Sequence, residues 1–126
     1  MPHEGDYRQA GVLRESYRLN FPALLCKGKI REKTGFSLIS ADCDNVIIET
    51  VKKCEDDNHI MIRAYEAYNA TCVARFHFGL PVARVSLVDM MENEICEVNT
   101  SENTWEWKFT PFAIETFKIE VMNLLV

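Results

Sequence analysis

Apolar and polar residues alternate with a period of two along most of the chain, which indicates β-strands. The alternation is clearest over residues 72–78, where Cys72, Ala74, Phe76 and Phe78 share one parity. Similar patterns cover residues 60–65, 82–87 and 105–109, and β-branched runs occupy 36–40 and 46–51. Each strand is therefore predicted to bury one face and to leave the other face wetter.

Clusters of Asn, Asp, Gly and Pro separate these runs at residues 42–45, 55–58, 69–70, 79–81 and 99–103. Strands recur roughly every 10–14 residues, with no segment of helical length between them, so short loops must join antiparallel neighbours. The predicted fold class is all-β, an antiparallel β-sandwich with a short N-terminal helix.

Two details of strand phase lead to further predictions. In the 82–87 run, Ala83 shares a face with Val85 and Leu87, opposite Val82. In the last strand, the apolar parity changes after Ile114, and a β-bulge near residues 115–116 would restore a single apolar face.

The first 22 residues differ from the rest of the chain. Asp6 can cap a helix, the spacing of Ala10, Leu13 and Tyr17 is helical, and Pro22 follows the segment. A helix is predicted over residues 7–19. The chain is accordingly divided into an N-terminal extension, residues 1–22, and a β-sandwich domain, residues 23–126.

Composition narrows the functional classes. The 126 residues carry 14 Lys and Arg against 19 Asp and Glu, for a net charge of −5. This length suits a single domain, and the acidic balance argues against a nucleic-acid partner. The longest uncharged apolar run, residues 121–126, is far too short to span a membrane. Five cysteines without a CxxC pair favour a reducing compartment, so the predicted location is cytoplasmic. The N-glycosylation sequons at Asn69 and Asn99 are weak evidence for secretion instead.

A search for catalytic or metal-binding patterns finds none that supports a site. The three histidines lack the tight pair spacings of a zinc site, and residues 42–45 open like a calcium loop that Ile47 then breaks. Cys72 and His77 are predicted on opposite strand faces, which excludes a dyad. Glu92 and Glu94 are interpreted as exposed charges at a strand end. Catalytic, cofactor-binding and metal-binding residues are therefore all predicted to be absent from this chain.

Trp105 and Trp107 are the one suggestive pair. Two indoles on one strand face could form a platform that stacks on sugar rings. Aromatic residues at strand period more often fill a core, here together with Phe109. A carbohydrate contact at Trp105 and Trp107 remains open beside that interpretation.

Five segments, in order, together resemble the C-terminal part of the α-mannosidases of glycoside hydrolase family 38, notably the cytosolic-type branch. The segments are Pro2–Val12, Ser16–Pro22, Val46–Asp56, Ile62–Ala67 and Pro111–Thr116, which resemble the passages PHxG…AGV, AYxLNxPL, VVLETVKxAED, LRLYEA and PFEIxT. Three residues depart from these passages, since Cys54, Ala64 and Ala113 stand where the family has Ala, Leu and Glu. None of these changes threatens the fold.

The resemblance implies a domain of a larger enzyme. Members of the family are retaining α-mannosidases that use an Asp nucleophile, an acid/base carboxylate and a divalent metal, usually zinc. Those residues belong to an N-terminal (β/α) catalytic domain and a helical domain, so none of their roles can be carried to a position here. Met1 stands where the family has an upstream strand, which suggests a fragment; a native start in a split gene or short relative is the other interpretation.

Three hypotheses follow. The first is a structural, non-catalytic accessory domain whose partners are the catalytic and helical domains of the same polypeptide, with mannose-containing oligosaccharides reached through the parent enzyme. The second is an autonomous carbohydrate-binding module that uses Trp105 and Trp107. The third is an interaction domain with an exposed strand edge and an N-terminal helix that docks elsewhere, which would leave apolar surface exposed.

Overall fold

The computed structural model describes residues 2–29 and 35–122. Its elements, in chain order, are α1 (Val12–Asn20), β1 (Ile39–Ala41), β2 (Val46–Lys53), β3 (Ile60–Glu66), β4 (Cys72–Phe78), β5 (Val82–Val88), β6 (Glu94–Val98), β7 (Thr100–Ser101), β8 (Thr104–Phe109) and β9 (Ile114–Val121). Met1 and the last four residues of the predicted sandwich domain lie outside the described residues, as do residues 30–34. None of the described helical segments is long and apolar enough to cross a membrane.

Contacts divide the chain into two compact units, residues 1–35 and residues 36–126. This division falls later in the chain than the predicted boundary between residues 22 and 23. The predicted boundary concerns the domain within the complete enzyme, and it stays a prediction.

The second unit consists of two antiparallel sheets. One has four strands in the order β1-β4-β8-β7, and the other has five in the order β2-β3-β9-β5-β6. Inward-facing residues of both sheets form one apolar cluster: Ile62, Ala64, Ala74, Phe76, Phe78, Val85, Leu87, Trp105, Phe109, Phe117 and Ile119. The all-β antiparallel sandwich predicted from the period of two is confirmed.

Stacked and tilted rings occupy the centre of this core. Phe76 stacks on Trp105 with 5.2 Å between ring centroids, and Phe117 from the opposite sheet lies 5.4 Å from Phe76. Aromatic contacts of this kind stabilise a core beyond the burial of their area. The two sheets are therefore joined through rings contributed by β4, β8 and β9.

The helix is shorter than predicted. It begins at Val12 rather than at residue 7, because Asp6 caps a separate turn instead. The Asp6 Oδ1 accepts hydrogen bonds from the backbone N–H groups of Arg8 and Gln9, at 2.9 and 3.0 Å. Gly11 then adopts a φ of 62°, which interrupts the helical path that the apolar spacing suggests.

Both predictions about strand phase are wrong. Along β9, pairing with β3 continues without a shift from Ile114 to Ile119, so no bulge occurs near residues 115–116. The apolar parity changes because Phe112 and Ile114 are exposed, at 60% and 66%. One register shift in the five-stranded sheet lies in β5, where Ala83 is looped out between Val82 and Arg84 and Val82 turns into the core.

Candidate functional site

Strand β8 sends both indoles toward the inside of the sandwich. Trp105 is only 2% exposed, with its ring against Phe76 and Phe117, and Trp107 is half-buried with its edge 5.7 Å from the Phe117 centroid. The two residues share the parity of buried Phe109, so the strand period that brings them together also removes them from solvent. The exposed stacking platform considered above is therefore not formed. A carbohydrate contact at these residues by some other means stays a prediction.

The same two indoles line a groove of about 740 Å³ beside the edge strands of both sheets, where the chain passes from β6 to β7. Side chains and backbone from β4, β6, β7 and β8 surround it: Arg75, Glu97, Val98, Asn99, Thr100, Ser101, Thr104, Trp105, Glu106 and Trp107. This volume lies in the range of small-molecule sites. The lining is mixed, with hydroxyl, amide, carboxylate, guanidinium and aromatic groups.

Within the described part of the chain, the indole Nε1 atoms of Trp105 and Trp107 are buried and have no hydrogen-bond partner. A buried donor without an acceptor costs about 1–3 kcal/mol, so native structures rarely leave one unexplained. Both of these donors belong to residues of the groove wall. Because these two nitrogen atoms have almost no accessible surface, they are not part of the surface of the groove.

An ion pair crosses the outer side of the groove. The Arg75 Nε lies 2.9 Å from the Glu106 Oε1, and this carboxylate raises the pKa of Arg75 above its ordinary value. Both side chains are more than half exposed, at 62% and 54%. Thr104 Oγ1 donates to the Ser101 carbonyl at 2.8 Å. These groups can bind and orient a polar ligand, but none of them is arranged as a nucleophile beside a base.

A layer of charged residues covers the outer face of the five-stranded sheet, and the sequence did not reveal it. Arg84 of β5 contacts Glu94 and Glu97 of β6 and Glu120 of β9, its two neighbouring strands. Hydrogen bonding to Glu94 is the main reason that the pKa of Arg84 is raised. These residues lie far apart in sequence and meet only through strand pairing, which explains why no local motif marks them.

The interpretation of Glu92 as an exposed charge is wrong. Its side chain is 10% exposed and binds the Lys52 ammonium at 3.1 Å and the Glu55 backbone N–H at 3.0 Å. The N–H bond and then Lys52 hold the pKa of Glu92 below its ordinary value. Glu92 thus links the β2–β3 turn to the β5–β6 turn, which is a structural role.

The cysteines in the described residues are free thiols, and the surroundings of Cys54 and Cys72 do not favour nucleophilic chemistry. Burial raises the pKa of Cys54 to about 11, and burial together with the neighbouring Cys43 thiol raises the pKa of Cys72 to about 11. Cys72 packs on the core while His77 is exposed on the other strand face, so the predicted separation of this pair is correct. Among the described residues, no group of three or more His, Cys, Asp or Glu side chains could hold a metal ion.

Among the described residues, the most completely buried charged side chain is that of Glu66, at the end of β3, with 0% exposure. Its Oε1 accepts the Tyr68 backbone N–H at 2.7 Å, and its Oε2 accepts the Phe112 backbone N–H at 3.0 Å. Burial alone would raise the pKa of Glu66, but bonds from the backbone N–H groups of residues 112, 68, 70 and 69 outweigh it and lower the pKa. Glu66 is ionised and fully used in holding two loops.

Comparisons with known proteins identify the family of this domain. Residues 45–117 match the model of the "Glycosyl hydrolases family 38 C-terminal beta sandwich domain". The chain is 31% identical to mouse "Alpha-mannosidase 2C1" over 98% of its length, and 32% identical to human "Alpha-mannosidase 2C1" over 90%. It is also 30% identical to "Alpha-mannosidase G" of Dictyostelium discoideum over 93% of its length. The chain spans only 11–12% of the length of these relatives.

Proposed function

Because this chain belongs to the family of C-terminal β-sandwich domains of glycosyl hydrolases family 38, we propose that it serves a retaining, metal-dependent α-mannosidase as its C-terminal accessory domain. The parent enzyme hydrolyses terminal α-mannosides of oligosaccharides. The domain itself is structural and contributes no catalytic group. The observation that carries this proposal is the family match across the sandwich core, from residue 45 to residue 117.

The uses of the domain's charged groups support a structural role. Glu66 binds backbone N–H groups of two loops, and Glu92 bridges two turns. Arg84 is surrounded by carboxylates of neighbouring strands. A catalytic carboxylate needs a free face toward its substrate, which a carboxylate tied into such bonds does not offer.

The parent's metal, zinc or another divalent ion, belongs to residues outside this chain. The resemblance assigns it to His and Asp ligands of the catalytic domain. The described residues bring no such set together, so they do not fit that role.

The partners of the domain are the catalytic and helical domains of the same polypeptide. In the first unit, apolar side chains at Leu19, Phe21, Leu24 and Leu25 are 72–100% exposed. Contiguous exposed apolar residues of this kind typically mark an interaction surface. In this proposal the segment packs against the remainder of the enzyme. This packing is also the docking that the third hypothesis, an interaction domain, assigns to the N-terminal helix.

The compartment is the cytoplasm. The free state of Cys43, Cys54 and Cys72 supports a reducing environment, because oxidising compartments favour disulfides in small domains.

The activity of the isolated chain tests the proposal. The pure 126-residue chain is expected to release no nitrophenol from p-nitrophenyl α-mannoside, with or without added zinc or cobalt. The product of the complete gene is expected to hydrolyse the same substrate and to lose that activity with a chelator. Metal-dependent turnover by the isolated chain would contradict the structural role, and an inactive complete enzyme would contradict the proposed activity.

A further inference from the structure

We propose that Cys43 and Cys72 are a redox-sensitive pair, which closes to a disulfide under oxidising conditions and ties the β1–β2 loop to β4. The inference does not depend on the proposed function, because it concerns only residues of this chain. In a reducing compartment both residues stay free thiols, as the structure shows them.

The two thiols lie together although they are far apart in sequence. Both side chains are half-buried and pack against the same core cluster. The Cys72 thiol donates a hydrogen bond to the Cys43 sulfur, and the Cys43 Sγ in turn donates to the Asn45 Oδ1 at 3.4 Å. Two sulfur atoms that already touch are placed to form a bond after rotation of the side chains.

Backbone bonds on both sides of each cysteine hold this arrangement. Before the first cysteine, the Asp42 backbone N–H donates to the Arg75 carbonyl at 3.1 Å, and the Asp42 Oδ1 accepts the Arg75 backbone N–H at 2.8 Å. After it, the Asn45 carbonyl accepts the Ala67 backbone N–H at 2.8 Å. The β1–β2 loop is therefore fastened to the chain both before and after the second cysteine, and the disulfide adds a covalent bond to contacts that exist without it.

The other cysteines have different surroundings. The Cys54 thiol is buried with Asp57, Glu92 and Lys118 around it. Cys26 and Cys96 are exposed. The contact between two sulfur atoms therefore selects one pairing among the five cysteines of the chain.

The oxidant is a small-molecule disulfide, for which oxidised glutathione serves as the probe. The Cys43 thiolate attacks one sulfur of this disulfide, which forms a mixed disulfide and releases one glutathione thiolate. The Cys72 thiolate then attacks the Cys43 sulfur and releases the second glutathione thiolate. The two protein thiols lose two protons and two electrons in total, and the electrons leave with the two molecules of reduced glutathione.

The order of these two attacks follows from the surroundings of Cys72. Burial and then the bond to Cys43 raise the pKa of Cys72 to about 11, so few Cys72 thiols are ionised near neutral pH. Cys72 is therefore a poor first nucleophile toward a molecule in solution. Its attack on Cys43 is intramolecular, and the closeness of the two sulfur atoms compensates for the small ionised fraction.

The test uses the full 126-residue chain with Cys26→Ser and Cys96→Ser, which removes the two exposed thiols and leaves three. After incubation with oxidised glutathione, the intact mass is expected to fall by two hydrogen atoms relative to a sample in dithiothreitol. N-ethylmaleimide, added after unfolding, is expected to label one thiol instead of three. Proteolytic digestion should yield one peptide pair joined through Cys43 and Cys72.

Thermal unfolding gives a second readout. The bond closes residues 43–72 into a loop and constrains the unfolded chain, so the Tm of the oxidised sample is expected to rise by roughly 10–20 °C. Cys43→Ser or Cys72→Ser in the same background should abolish both the mass change and the rise in Tm. Cys54→Ser is the matched control, which should retain both.

Three results would overturn the proposal: three labelled thiols after oxidation, a joined peptide pair that contains Cys54, or a Tm that is unchanged or lower in the oxidised sample. The oxidised and reduced samples share one sequence, so this comparison stands even if a single variant fails to fold. None of these results bears on the activity of the complete enzyme.

Discussion

Replacement of Glu66 by Gln tests the most consequential polar contact in the sandwich. Glu66 lies where the chain crosses between the two sheets, since the β3–β4 loop leaves it directly and the β8–β9 loop returns to it. Its carboxylate holds both loops through the backbone N–H groups of Tyr68 and Phe112. Phe112 has a φ of 58°, a conformation that a non-glycine residue adopts only when its surroundings hold it there.

The expected loss follows from these two bonds. A hydrogen bond to a charged group contributes about 1.5–3 kcal/mol, whereas a bond to a neutral acceptor contributes about 1 kcal/mol. Gln has one carbonyl oxygen, so it keeps one bond in weakened form and turns its amide N–H₂ toward the other donor. The free energy of unfolding is expected to fall by about 2–4 kcal/mol. For a domain of this size, that corresponds to a decrease in Tm of roughly 10–25 °C.

Thermal unfolding followed by circular dichroism is the assay, with exposed Glu49→Gln as the control, which is expected to change stability by less than about 0.5 kcal/mol. The pH dependence gives a second readout. Because the pKa of Glu66 is lowered in the folded state from 4.5, its contribution is complete above that value and is lost as pH falls through the folded pKa. The gap between wild type and Glu66→Gln should therefore be widest near neutral pH and should narrow below pH 4.5. A Tm within a few degrees of the control, or a gap that is constant with pH, would refute the reasoning.

Two predictions about packing in the sandwich can be checked by urea unfolding. Phe117→Ala removes the ring that contacts Phe76, Trp105 and Trp107 and should cost about 3–5 kcal/mol. The Phe112 side chain is 60% exposed, so Phe112→Ala should lower the free energy of unfolding by less than about 1 kcal/mol. Equal losses in the two variants would contradict the stabilising role of the aromatic centre. Gly79→Ala should cost about 1–3 kcal/mol because its Cβ would lie 2.3 Å from the Ser37 carbonyl oxygen, whereas Gly28→Ala meets nothing within 4 Å and should be neutral. If Gly79→Ala is neutral, the backbone at Ser37, just before β1, can move away without loss of stability.

The fold class was predictable because a half-buried antiparallel strand has a pattern that survives in sequence. The run from Cys72 to Phe78 alternates between core and solvent as expected. The bulge at Ala83 was not predictable, since pairing with β9 determines which residue is looped out. The helix start was missed for a different reason: Asp6 caps whichever turn forms next to it, and the left-handed Gly11 separates that turn from the helix.

The two tryptophans of the candidate site could be named from the sequence, but the groove that they line could not. The sequence places Trp105 and Trp107 on one strand face, but their period equals that of a core strand, so the pattern cannot distinguish a platform from a core. The groove depends on the closeness of β6, β7 and β8, and Arg75 joins it from β4 through the pairing of Arg75 with Glu106. Contacts of this kind between distant segments leave no local signal.

The segments that identify the family acquire a physical meaning from the position of Glu66. The resemblance rests in part on Ile62–Ala67 and on Pro111–Thr116, and these two segments meet at this carboxylate. The Glu66 Oε2 accepts from Phe112, and the Glu66 backbone N–H donates to the Ala113 carbonyl at 3.0 Å. Next to them, the Ala67 backbone N–H donates to the Asn45 carbonyl at 2.8 Å, directly before a third segment, Val46–Asp56. Three of the five segments thus join at one end of the sandwich through backbone bonds around a buried charge. This end of the domain is therefore closed by residues from three of the segments on which the resemblance rests, or directly next to them.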